Sequence, residues 1–265
     1  MTTPEQLAAS IAFLAPGPDP PEIALILGSG LGDFANTILQ PRVFDTSAIP
    51  HYPISSVEGH KGRIVFGLLG GRNLVVFQGR VHYYETGDIE AILYPVQIAH
   101  ALGVQFLVVT NAAGGVSRGL SAGDLMGITD QLNLTGKPYR VAPGSTAHLP
   151  FYDSALLEEM KKTAGRLGIP LKSGVYAGDT GPSYETAAEV DMIHRLGGDA
   201  VGMSTIFETA LAASLGIRVA GISCVTNPGT GISPEKLSHA EVTEVANRVK
   251  KTFTALLTEF VGSLP

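Results

Sequence analysis

The chain has 265 residues, 45% of them apolar and only 16% charged, with a formal net charge of −6. That length suits one large α/β domain or two small ones, and so low a charged fraction implies much hidden surface, in a wide sheet or a subunit interface. The acidic balance argues against a nucleic-acid or membrane-surface partner, so a phosphate site has to be local, built from a few Arg, His and backbone N–H groups.

The opening residues, MTTPEQLAAS, carry no basic stretch followed by an apolar one. No signal peptide is therefore expected, no apolar run is long enough to span a bilayer, and the cytoplasm is the expected compartment. Apolar periodicity predicts a helix over Pro4–Leu14, a Pro-rich turn at Pro16–Pro21, a strand at Ile23–Leu27 and a helix over Gly32–Leu39. Strands follow at Ile64–Leu69 and Leu74–Gln78, a helix at Ile89–Leu102, and strands at Gln105–Thr110 and Leu125–Thr129. Beyond the polar loop Lys137–Pro150, helices at Ser154–Leu167, Thr186–Leu196, Ile206–Leu215 and Ala240–Val261 alternate with strands at Gly174–Ala177, Ala200–Met203 and Val219–Thr226. Several strands are near-continuous in Val, Ile and Leu, as strands buried on both faces are. The alternation implies an α/β fold with a mixed or parallel sheet covered on both sides. Gly103 and Gly216 punctuate two helix-to-strand joints. No composition shift divides the chain, so residues 1–265 read as a single domain. The lone cysteine, Cys224, lies in an apolar run and reads as a core thiol.

Polar clusters sit where the strands end. The strand Ile23–Leu27 runs into Gly28-Ser29-Gly30-Leu31-Gly32. Such a turn offers backbone N–H groups to an anion, and Ser29 adds a hydroxyl. The dinucleotide fingerprint fails, because its third glycine falls at Asp33, and the Walker A pattern fails for want of Gly-Lys-Ser/Thr. After Leu74–Gln78 come Arg80, His82, Tyr84 and Glu85. Arg80 and His82, two apart, share a side if the chain stays extended. Arg is the fork of choice for phosphate oxygens, Glu85 can pair with His82, and Tyr84 offers a phenol to a sugar hydroxyl. His60 occupies a Gly-flanked loop.

Leu107–Gly115 reads as a buried strand ending in small residues, which let a ligand approach the backbone. Gly115–Gly119 overlaps it and matches the hydrolase elbow GxSxG around Ser117, yet the required strand-Ser-helix context is missing. In Gly181-Pro182-Ser183-Tyr184-Glu185-Thr186 an aromatic stands beside a carboxylate, which suits a flat, hydrogen-bonding ligand. Gly202-Met203-Ser204-Thr205 ends a strand in hydroxyls and opens a helix, which suits an anion or a sugar. Asn227, at the end of Val219–Thr226, can both donate and accept, and His239 stands near the start of the last helix. An anion corner (Ser29, Arg80, His82, the backbone near Ala112, Ser204), a planar-heterocycle corner (Tyr184, Glu185, Asn227) and sugar groups between them (Tyr84, Met203, His239) are what nucleoside phosphorolysis requires.

At these residues the chain resembles the purine nucleoside phosphorylases of the homotrimeric type. The matching stretches are ILGSGLG, VEGHKGRIVFG, VVFQGRVHYYETGD, LVVTNAAGG, GDLMGITDQLNLTG, AGDTGPSYETAAEV, GGDAVGMST and the VTN of Val225–Asn227, in family order over most of the chain. The resemblance implies a central mixed, partly barrel-like sheet flanked by helices, with active sites near subunit interfaces of a homotrimer. It implies that Ser29, Arg80, His82, Ser204 and the Ala112 N–H bind phosphate, with His60 beside them. Tyr84 and the Met203 backbone would hold ribose, and His239 would reach the 5′-hydroxyl. Glu185 would accept from purine N1–H and Asn227 would bond to N7 and O6, with Tyr184 in place of the usual Phe. Inorganic phosphate is the implied co-substrate, without cofactor or metal.

The Glu185–Asn227 pair favours 6-oxopurines, inosine and guanosine, over 6-aminopurines. The related methylthioadenosine phosphorylases place Asp where Asn227 stands and are the alternative within enzymes. A non-catalytic nucleoside-binding protein is the alternative outside them, and predicts a lost phosphate clamp; Arg80, His82 and Ser204 are all present. The loop Lys137–Phe151 is shorter than the family's, which often sends an aromatic into a neighbouring subunit; Tyr139 and Phe151 are the aromatics available for that.

Overall fold

Among the described residues nine strands form one sheet, and an interior strand shows how the sequence dictates its place. In the computed structural model β1 (Ile23–Leu27) is buried at every residue. It lies parallel to β4 (Arg72–Gln78) on one side and β5 (Phe106–Gly115) on the other. Its odd residues Ile23, Leu25 and Leu27 enter one core, and its even residues Ala24 and Ile26 enter the other. Leu74 and Val76 alternate with Val75 and Phe77 in the same way. Two cores, one per face, need apolar residues at every position, hence the unbroken apolar runs. The structure describes the whole chain except residues 1, 16, 58–59, 146–149 and 233–238, with 239–243 described as backbone alone.

The remaining strands are β2 (Leu39–Asp45), β3 (Arg63–Leu69), β6 (Leu125–Asn133), β7 (Leu171–Gly178), β8 (Ala200–Gly202) and β9 (Arg218–Pro228). The order is β2-β3-β4-β1-β5-β8-β7-β6-β9, and β5 also pairs with β9. Five strands thus close into a barrel, and the other four extend from it as an open wing. The helices are α1 (Pro4–Leu14), a single turn α2 (Tyr83–Thr86), α3 (Ile89–Ala101), α4 (Ser154–Arg166), α5 (Ala187–Arg195), α6 (Ile206–Ser214) and α7 (His239–Gly262). Residues of α1, α3 and α6 pack into one core, and residues of α4 and α7 into the other. No helix among the described residues is long and apolar enough to cross a membrane.

The predicted α/β class and partly barrel-like sheet agree with this architecture, and the long helices fall within a residue or so of their predicted bounds. Gly103 and Gly216 follow the C-caps of α3 and α6 with φ of 83° and 82°, as punctuating glycines should. Cys224 is fully buried in β9, which pushes its thiol up to about 12.

One expectation needs correction, and one strand leaves no signal in the sequence. The helix expected over Gly32–Leu39 is a 3-10 turn over Gly32–Thr37, because Leu39 already begins β2, which pairs antiparallel with β3. β2 itself leaves no apolar pattern: as the outer strand it exposes nearly every residue, Leu39 and Val43 included, and it tolerates Pro41. The apolar run Gln105–Thr110 and the overlapping stretch Leu107–Gly115, read as a buried strand ending in small residues, form the single strand β5, with β9 paired along its whole length.

Candidate active site

The ends of β1, β4, β8 and β9, the second half of β5 and the loop around Tyr184 enclose a cavity of about 340 Å³. That is the size of a small-molecule site. Of the phosphate, sugar and base residues assigned from sequence, Ser29, Arg80, His82, Tyr84, Ala112, Tyr184, Glu185, Met203, Ser204 and Asn227 line it and His60 does not. The side chain of His239, at the start of α7, lies outside the described residues. β1 and β5 come together where Gly28 donates its N–H to Thr110 Oγ1 at 3.1 Å. A Cβ on Gly28 would stand 2.7 Å from the Asn111 Cα, so only glycine lets Ser29 sit this close to β5.

Arg80 reaches the cavity from beyond β4, with a side chain 1% exposed. Its Nη2 donates to the carbonyls of Thr110 at 2.7 Å and Ile26 at 3.3 Å. Its Nη1 donates to Ser204 Oγ at 2.8 Å and Thr205 Oγ1 at 3.0 Å. Its Nε faces the Glu208 carboxylate at 3.4 Å. Thr205 stands at φ 78°, a strained value for a β-branched residue. Its Oγ1 accepts from Arg80 and from Asn111 Nδ2, at 2.9 Å. With both lone pairs used, Thr205 gives its proton to Ser204 Oγ, 3.1 Å away. Ser204 Oγ accepts from Arg80 and Thr205, so its own proton is the one left for the cavity. The start of α6 follows at once, and adds the positive end of a helix.

His82 is extended, as expected, and faces the same cavity as Arg80. The chain then turns into α2 at Tyr83, which brings Glu85 back to within 3.1 Å of His82 Nδ1. Nε2 is thereby the ring nitrogen left for the cavity. Burial would push the Glu85 carboxyl up, but hydrogen bonds from His82 and from the Ser56 N–H and hydroxyl outweigh it and hold it at about 2. His60 lies one layer behind, stacked on His82 at 5.3 Å, with Nε2 3.2 Å from Ser29 Oγ. Burial, and then the neighbouring His82, bring His60 down to about 4, so its ring is neutral around pH 7. Tyr84 stacks on the other face of His82 at 5.0 Å, and burial with the adjacent Glu85 pushes its phenol up to about 12.

At the other end, Glu185 is 8% exposed, and burial pushes its carboxyl above the usual range. No cation among the described residues pairs with it. Asn227 Oδ1 accepts from Thr226 Oγ1 at 2.9 Å, and one Nδ2 proton goes to the Pro228 carbonyl at 3.1 Å. The second Nδ2 proton remains for the cavity. Tyr184 lines the mouth, 43% exposed.

A match to the phosphorylase superfamily model spans residues 22–262. Purine nucleoside phosphorylase 1 of Bacillus subtilis is 44% identical, covering 97% of this chain and 98% of its own. The chain belongs to the purine nucleoside phosphorylases of the phosphorylase superfamily. Solved purine nucleoside phosphorylases from Schistosoma mansoni share its fold over its full length with a TM-score of 0.91. One holds inosine (31% identical, 98% of that chain covered) and another adenosine (32%, 99%).

Within this purine nucleoside phosphorylase family member, other sequence features resolve too. Ser117 follows β5 in a turn and accepts from the Gly119 N–H, so no elbow forms. Tyr139 and Phe151 pack against each other at 4.9 Å, and Tyr139 against Phe207 of its own core. Neither aromatic is held outward for a neighbouring subunit. Glu208, Asn111 and Thr226 were not singled out from sequence. Glu208 could have been: it is the one charged residue in the helix IFETALAAS. Among the described residues no cluster of three His, Cys, Asp or Glu could hold a metal ion.

Proposed function

We propose that the chain catalyses the reversible phosphorolysis of purine nucleosides to free base and ribose 1-phosphate, preferring the 6-oxopurines inosine and guanosine. The observation that carries this reading is one cavity with hydroxyl, imidazole and backbone donors at one end and a lone buried carboxylate beside an oriented amide at the other. Ser29, His82, Ser204, the Ala112 N–H and the charge of Arg80 receive inorganic phosphate, with His60 supporting Ser29. Tyr84, the Met203 backbone and His239 hold the ribose. Glu185 accepts from N1–H, the free Asn227 N–H donates to N7, and Tyr184 covers the base.

The glycosidic bond breaks with oxocarbenium character at the sugar. Negative charge develops on the departing purine, where Asn227 donates, so that hydrogen bond strengthens towards the transition state. The bound phosphate stabilises the cation and attacks C1′. Positioning supplies much of the acceleration. No protein nucleophile, cofactor or metal enters these steps. We read the working form as a cytoplasmic homotrimer whose loop 137–151 does not complete a neighbour's site in the family's usual way.

Phosphate-dependent base release from inosine, guanosine, adenosine and methylthioadenosine, run side by side, tests this reading. Release from inosine and guanosine first supports it; methylthioadenosine first would make the chain a methylthioadenosine phosphorylase, and no release from any would make it a binding protein. The Schistosoma mansoni complex with adenosine makes the 6-position the informative variable. Asn227→Asp, which replaces the donor by an acceptor, should raise the adenosine-to-inosine ratio of kcat/KM by about tenfold or more. An unchanged ratio would remove Asn227 from base selection.

A further inference from the structure

Glu208 has no solvent exposure, and neither of its carboxylate oxygens accepts a hydrogen bond. Burying a carboxylate in this way is expensive unless a cation compensates it. The one charged partner within ion-pair distance among the described residues is Arg80, whose Nε lies 3.4 Å away and itself makes no hydrogen bond. The two therefore face each other as ions.

The local sequence has a cheaper use for both Thr205 and Glu208. Thr at the N-cap and Glu three positions into the helix is the capping-box pattern, and the equivalent pairs Thr3–Gln6 and Thr186–Glu189 do close such boxes in α1 and α5. In α6 the Thr205 side chain caps nothing and takes Arg80 and Asn111 instead, at a strained φ. Glu208 turns inward to the same guanidinium. Both members of the pattern are diverted from the helix to Arg80, which a purely structural helix start would not require.

We propose that Glu208 is the resident counter-ion of Arg80, a positioning residue that keeps the guanidinium turned to Ser204 and sets phosphate affinity by competing with phosphate for the same cation. The inference rests on the phosphorolysis reading, in which Arg80 and Ser204 face phosphate. While Glu208 is ionised the pair is neutral, and an arriving phosphate meets a cation that is already partly satisfied. Removing the charge while keeping the shape leaves the whole cation to the phosphate.

The test is isothermal titration of the full chain with inorganic phosphate, together with separate KM values for phosphate and nucleoside. In Glu208→Gln, which keeps the shape and leaves an amide oxygen facing Nε, the phosphate Kd should fall about tenfold, as loss of a nearby like charge in a partly screened site implies. The nucleoside KM should stay within about twofold, as expected for a site at the other end of the cavity. Glu208→Asp, which withdraws the carboxylate by one methylene, should move the phosphate Kd the same way by about threefold, and serves if the Gln variant does not fold. A role confined to holding the fold predicts weaker or unchanged phosphate binding. That result in either folded variant, with wild type binding normally, overturns the proposal alone. Failure of wild type to bind inorganic phosphate overturns the phosphorolysis reading and this proposal with it.

Discussion

Glu185→Ala is expected to lower kcat/KM for inosine by about 30-fold to 10³-fold, the loss of about 2–4 kcal/mol typical of one key buried contact to the substrate. The KM for phosphate should be unaffected, because in the proposed reading Glu185 contacts the base and not phosphate. Steady-state kinetics with each substrate varied in turn checks both statements, and a variant within twofold of wild type contradicts them. The pH profile carries the same signature. Burial raises the Glu185 pKa above the ordinary carboxylate range, and the ionised form, acceptor-only and charged, is the stronger acceptor for N1–H. Activity should therefore fall on the acid side as pH drops through that raised value, and the limb should vanish in Glu185→Gln. Stability has the opposite sign: the folded state holds this proton more tightly than the unfolded chain does, so ionising Glu185 costs stability as pH rises between the ordinary and the raised value.

Arg80→Met is the second large expectation, and it strikes stability as well as turnover. Arg80 lies 4% exposed, and its loss leaves the hydrogen-bond-free carboxylate of Glu208 buried without a partner. Breaking one side of a buried pair costs about 3–5 kcal/mol. Urea denaturation should register that loss, and protection by inorganic phosphate should disappear. The double variant Arg80→Met with Glu208→Leu should recover much of the stability while phosphate use stays lost. A double variant no more stable than the single one would show that Glu208 is not what makes Arg80 costly to remove.

Local patterns made much of the fold legible. β1 and β4 could be read from their apolar runs because both faces of each strand are buried, and α3 to α6 from periodicity with capping and glycine signals. β2 was invisible because an outer strand with exposed faces has no period to betray it. The site divides along the same line. Ser29, Arg80, His82, Ser204 and Asn227 follow or end strands, so their placement on one rim is a property of the topology. Glu208 depends on a partner 128 positions away in the chain, and its spacing from Thr205 suggests a capping box that the fold does not build. Asn111 was hidden differently: it lies inside the stretch Leu107–Gly115 read as strand, but its hydrogen bond to Thr205 depends on a partner 94 positions away.

The length of β5 bears on how such a pocket can change. Asn111 to Gly114 runs from the Arg80 network to the Asn227 side chain, about 10 Å of extended backbone at 3.3 Å per residue. That stretch is hydrogen-bonded to β9, and β8 joins it at Gly114. On the proposed reading it is a ruler between the two reacting partners, graduated in peptide units and clamped along one edge. Substitutions at either end can alter which base or which oxyanion is accepted while the interval between them stays the same. A new leaving group would be reached by editing side chains at one terminus, whereas a longer sugar would demand rebuilding the barrel seam itself.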